Sequence, residues 1–179
     1  MITIYQIGWI LIFGVIFLVL RAVIAAYVKY RGVRLVTCPE NKEPAGVELD
    51  TLHAAFQGTP RVPHLRLKEC TRWPERKDCG QMCLAQIEAA PEDCLVRNIL
   101  TKWYEGKDCA YCGKPLGEIH WADHKPAMLN AEGITVEWNE IRPEKVPGVL
   151  ATHRAVCWNC HMNETFRRKF PELVVDRVR

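Results

Sequence analysis

Cys109-Ala-Tyr-Cys112-Gly113 and Cys157-Trp-Asn-Cys160-His161 are the stretches whose reading decides the fold. Two residues between the cysteines of each pair let one tight turn aim both sulfurs at a single ion. Gly113 supplies the backbone freedom that such a turn needs. Two pairs complete a tetrahedral four-thiolate site, the closed geometry that suits structural zinc. Disulfides, or free thiols in a core, are the competing readings. The pairs are separated by 44 residues, too many for a compact ribbon, so a substantial insertion lies between the two halves of the site.

After the first pair comes Leu116-Gly-Glu-Ile-His-Trp121, then Asp123-His124-Lys125-Pro126. The second pair leads into a helix expected over Met162–Phe170 and stopped by Pro171. Hairpin, loop and a helix starting at the second CxxC make the plan of a treble clef. Over residues 109–170 the chain resembles the zinc-containing HNH nucleases, whose pattern runs CxxC, Asp-His close to Pro, then CxxC followed by His or Asn. It departs from that pattern in having one residue, not two, between His124 and Pro126. Thr152 or His153 stands where the family usually has Asn.

That resemblance implies that His124 is a general base activating water, with Asp123 and His161 holding a catalytic divalent cation against a phosphate. Arg154, Arg167, Arg168 and Lys169 would attract the nucleic-acid backbone, while Glu164, Glu172 and Asp176 dilute the charge. The plainer alternative packs His124 beside Trp121 or sets it behind the zinc ligands. Cys157-Trp-Asn-Cys160-His161 also reads as a haem c attachment motif, an assembly made outside the cytoplasm.

Outward from this region the composition is that of a folded protein, 49% apolar and 25% charged, with a net charge of +3 and no nucleic-acid signature. Residues 7–20, IGWILIFGVIFLVL, carry no polar side chain, and apolar character continues past Arg21 to Val28. That is the length of a bilayer-spanning helix. The start lacks the basic residues and cleavage site of a signal peptide. Basic residues follow the run, at Arg21, Lys29, Arg31 and Arg34, which predicts a single-pass inner- or plasma-membrane protein with its amino terminus outside and the rest cytoplasmic. A reducing cytoplasm makes nine cysteines read as metal ligands.

Between anchor and first pair, residues 35–68 read as irregular. A helix is expected from Asp78, capped through Gln81, placing Cys79, Cys83 and Ile87 on one face. Pro91 ends it and opens a second helix carrying Leu95, Ile99, Leu100 and Trp103. Cys38, Cys70, Cys79 and Cys83 form a second candidate site for zinc or an iron–sulfur cluster, with Cys94 left as the spare. His53 and His64 read as loop histidines, and the tryptophans as packing residues.

The expectation is an α+β protein: a transmembrane helix over 1–30, a cysteine-containing irregular segment with a helical hairpin over 31–106, and a treble-clef zinc domain over 107–179. It would carry one zinc ion, or two if the second group binds. It would serve as an accessory or scaffold subunit with protein partners in a membrane complex. The alternatives are a metal-dependent nuclease, for which nucleic acid is the partner, and an electron carrier holding an iron–sulfur cluster or haem c.

Overall fold

The computed structural model describes residues 4–57, 65–76, 78–119, 121 and 125–173. The chain divides into two compact units, residues 1–95 and 96–179.

The first unit opens with α1, Ile4–Tyr30. At 1.5 Å per residue its 27 residues extend about 40 Å, and the stretch Gly8–Tyr30 is long and apolar enough to cross a membrane. Trp9, Leu11, Phe13 and Phe17 all stand exposed along it. Its far end is anchored differently. Tyr30 is buried in the core of the unit, and Arg34, fully buried, folds back beneath the last turn. Arg34 Nη1 donates to the carbonyls of Tyr30 at 2.6 Å and Gly32 at 3.2 Å, and Nη2 donates to that of Lys29 at 2.7 Å. A helix end leaves its last carbonyls without partners, and one guanidinium satisfies two of them here. Gly32, at φ +99°, makes the turn into the sheet, where a Cβ would press on Leu95 at 3.1 Å.

The described residues within 35–68 are not irregular throughout. They hold β1 (Arg34–Thr37), β2 (Pro44–Leu49) and α2 (Thr51–Gln57), and β3 (Leu67–Cys70) follows. The strands form an antiparallel sheet in the order β1-β2-β3. Pro44 stands at the first residue of β2, where its missing N–H does least harm. Asp50 caps α2 by accepting from the His53 backbone N–H at 3.0 Å. Val36, Val47, Leu49, Leu67 and Ile87 pack with Tyr30 into one core.

The helix expected from Asp78 begins instead at Leu84, as α3 (Leu84–Ala89). Gln81 sits at φ 54°, a left-handed conformation that interrupts any helix through it. Its side-chain oxygen is spent accepting from the Leu67 N–H at 3.0 Å, tying the loop to β3. Cys79 therefore lies in that loop and Cys83 at the N-cap of α3, so the two do not share a helical face.

In the second unit α4 (Val96–Tyr104) buries Val96, Leu100 and Tyr104 at four-residue spacing. The Tyr104 hydroxyl donates to the Ala127 carbonyl at 3.0 Å, and Trp103 Nε1 donates to that of Leu150 at 2.9 Å. These bonds explain why α4 belongs with residues 107–179 rather than with 31–95. The sheet runs β5-β4-β6, with β4 (Ala127–Leu129) paired antiparallel to both β5 (Thr135–Glu137) and β6 (Arg154–Val156). All three residues of the central strand are buried. α5 (Val146–Thr152) precedes β6, and α6 (Trp158–Lys169) follows it. No strand forms over residues 116–119; the hairpin is made by β4 and β5 instead.

Candidate metal centre

Cys109, Cys112, Cys157 and Cys160 come together with their sulfurs within 4.8 Å of one another, the spacing of four ligands around one ion. Each pair is delivered by a different local device. The first rides on a tight hairpin closed by Cys109 N–H to Lys114 O at 2.9 Å and Gly113 N–H to Cys109 O at 2.9 Å. Its arms pair at Asp108 and Pro115. Gly113 takes φ +67°, as the turn requires. The second pair stands at the start of α6, with Cys157 at the N-cap and Cys160 in the first turn. Because β6 ends at Val156, the central sheet aims that N-terminus directly. The Ala110 N–H donates to the Ala155 carbonyl at 2.8 Å, which docks the hairpin against β6. Leu129 and Val156 pack beneath Cys109.

The electrostatics prepare an anionic sulfur. Burial by itself would push the Cys109 thiol up, but the backbone N–H groups of Cys157, Cys112 and Tyr111 turn toward it and hold it well below its ordinary value. One of these bonds is Cys157 N–H to Cys109 Sγ at 3.3 Å. Burial and the neighbouring sulfurs push Cys160 up, and burial pushes Cys157 up. Four thiolates at this spacing repel one another unless a cation sits among them, so the donor set fits a divalent metal. The positive end of α6 faces the same sulfurs. All nine cysteines are free thiols.

The other predicted site residues fall elsewhere. Asp123 and His124 lie outside the described residues, as does His64. His161 is buried within the fold: its Nδ1 shares a 2.9 Å hydrogen bond with Thr135 Oγ1, and Nε2 lies 3.5 Å from Glu137 Oε1. Thr135 and Glu137 carried no sequence signal as partners, since only the β5 register brings them to the ring. Tryptophans pack rather than present a platform: Trp121 meets Trp138 edge to face at 5.4 Å, and Lys107 Nζ lies 3.8 Å over Trp103. In the first unit Cys38, Cys70, Cys79 and Cys83 line one cavity. Cys94 stands apart, its thiol 3.7 Å from the Gln86 carbonyl.

Comparison with known proteins finds no protein family, no curated protein and no solved structure that matches this chain.

Proposed function

We propose that this chain is a membrane-anchored zinc protein that acts by binding, as an accessory or scaffold subunit of a membrane complex. The observation that carries the reading is the convergence of Cys109, Cys112, Cys157 and Cys160. Four thiolates fill the coordination sphere of zinc and leave no position for a substrate or a reactive water, which suits a structural ion. A knuckle hairpin followed by a helix carrying the second pair supports a treble-clef plan for residues 109–170. The burial of Tyr30 and the grip of Arg34 on α1 support an uncleaved anchor, because removal of the helix would take Tyr30 out of the core of the first unit and leave Arg34 without its partners. The basic residues Arg21, Lys29 and Arg31 support a cytoplasmic carboxy-terminal part, where thiols stay reduced.

The nuclease alternative needs His161 at an exposed cation, and the hold of Thr135 and Glu137 on its ring favours a packing role instead. The haem c alternative needs Cys157 and Cys160 for vinyl groups, in competition with the first pair. The test is native electrophoresis of gently solubilised membranes with zinc detection. The chain should migrate with zinc in a particle larger than the protomer, colourless, and the double variant C109S/C112S should lose the zinc held by these four cysteines together with the larger particle. A zinc-free or monomeric wild-type band would contradict the reading. Cleavage of plasmid DNA by the purified chain, lost in His124→Ala, would replace it with the nuclease.

A further inference from the structure

The turn at Cys38 repeats the turn at Cys109 in its backbone hydrogen bonds, its left-handed residue and the pairing of its arms. Cys38 N–H donates to Glu43 O at 2.8 Å, as Cys109 N–H donates to Lys114 O. Lys42 N–H donates to Cys38 O at 2.8 Å, as Gly113 N–H donates to Cys109 O. Lys42 stands at φ 61° where Gly113 stands at +67°. The hairpin arms meet at Thr37 and Pro44 in one case and at Asp108 and Pro115 in the other. Even the N–H groups turned toward the sulfur correspond: those of Glu40 and Asn41 for Cys38, and those of Tyr111 and Cys112 for Cys109. A lysine is held in a left-handed conformation that side chains rarely adopt, so this backbone is imposed by its surroundings and not by local preference. The sequence conceals the match because Asn41 stands where the second cysteine of a CxxC would be.

One thiol from a knuckle needs three more ligands from elsewhere, and the fold supplies three. Cys70 ends β3, Cys79 lies in the loop before α3, and Cys83 stands at the N-cap position of α3. With Cys38 they line a single cavity of about 20 Å³, room for one occupant no larger than a water. The Gln81 N–H donates to Cys79 Sγ at 3.4 Å, another backbone bond of the kind that supports a thiolate. Arg72 Nη1 donates to Cys38 Sγ at 2.9 Å and so brings a guanidinium that offsets the negative charge of a four-thiolate centre, while Arg76, at the same cavity, is paired with Glu40 at 3.4 Å. These sulfurs do not meet the mutual 4.8 Å spacing of the group formed by Cys109, Cys112, Cys157 and Cys160, so metal binding must draw them together.

We propose that Cys38, Cys70, Cys79 and Cys83 form a second, four-thiolate zinc site in the first unit, built on a one-cysteine version of the hairpin that builds the first site. The site is independent of the one in the second unit, and the metal content of variants separates them. Full-length protein purified in detergent should contain two zinc ions per chain by element-resolved mass spectrometry. C79S/C83S and C109S/C112S should each retain one. If C79S/C83S keeps the wild-type zinc content, or the wild type carries a single zinc that C109S/C112S abolishes, the proposal is overturned. Stoichiometric iron in the wild type overturns the zinc assignment. A second measurement covers variants that fail to fold. In the untreated wild-type chain, alkylation mapped by peptide mass spectrometry should spare Cys38, Cys70, Cys79 and Cys83 until a chelator is added. Modification of these four at the same rate before and after chelation overturns the site.

Discussion

Cys109–Lys114 and Cys38–Glu43 trace the same turn, yet the first brings two thiols to one point and the second brings one. The difference lies in a single side chain, Cys112 against Asn41, on backbones whose hydrogen bonds agree to about 0.1 Å. The hairpin is thus a scaffold for presenting sulfur, and the residue three places after the first cysteine decides how many ligands it presents. Where it presents two, the partner pair needs only a helix N-terminus. Where it presents one, the site proposed here would gather its remaining ligands from a strand end, a loop and the start of a helix.

The two halves should part most clearly when the sulfurs of one are removed and those of the other are kept. Binding of a structural zinc is worth on the order of 10 kcal/mol or more to a small domain. C109S/C112S should therefore unfold residues 96–179 while residues 4–57 keep their protection, a contrast that limited proteolysis followed by mass spectrometry reads directly. Loss of both halves together would show that the two units do not fold separately.

Arg34→Ala should act on the other half. It strips the charged donors from the part-buried Lys29 carbonyl and leaves the Tyr30 carbonyl buried without them, costing about 2–3 kcal/mol. Thermal melting of the detergent-solubilised chain should show the first unit destabilised and the second unchanged, with partial recovery in Arg34→Lys. In the second unit Tyr104→Phe removes the hydroxyl bond to the Ala127 carbonyl. The cost there is about 1–2 kcal/mol, seen in the other transition.

The smallest effects compare the turns themselves. Gly113 has nothing within 4 Å of an added Cβ, so Gly113→Ala pays only for a side chain at positive φ, about 1 kcal/mol. Lys42→Gly removes the equivalent penalty and should stabilise the first unit by a similar amount. Opposite signs in chemical denaturation would confirm that the two turns share one conformation. Equal signs would break the comparison.

Much of this was legible in the sequence, and the exceptions have physical reasons. The CxxC pairs announced their own convergence, because two-residue spacing leaves a turn little choice. The apolar run announced α1, and Pro171 marked the end of α6, which closes at Lys169. The sheet of the first unit stayed hidden because its strands are short and one begins at a proline. α3 begins six residues later than the apolar spacing predicts, because that spacing cannot reveal that Gln81 adopts a left-handed conformation while its side chain bonds Leu67. Arg34 read as a flanking cation for the membrane surface, whereas only the folded chain shows it buried under α1. His161 read as a ligand from its place after Cys160, yet the β5 register gives its ring to Thr135 and Glu137.

The central claim is that the metal in the second unit is enclosed by sulfur. X-ray absorption at the zinc edge of the full-length chain, repeated on C79S/C83S to isolate the second unit, tests it most directly. Four sulfur scatterers at about 2.3 Å and no lighter neighbour are expected. A nitrogen or oxygen scatterer at about 2.0–2.1 Å would mean an open or histidine-bearing site, and would contradict the account.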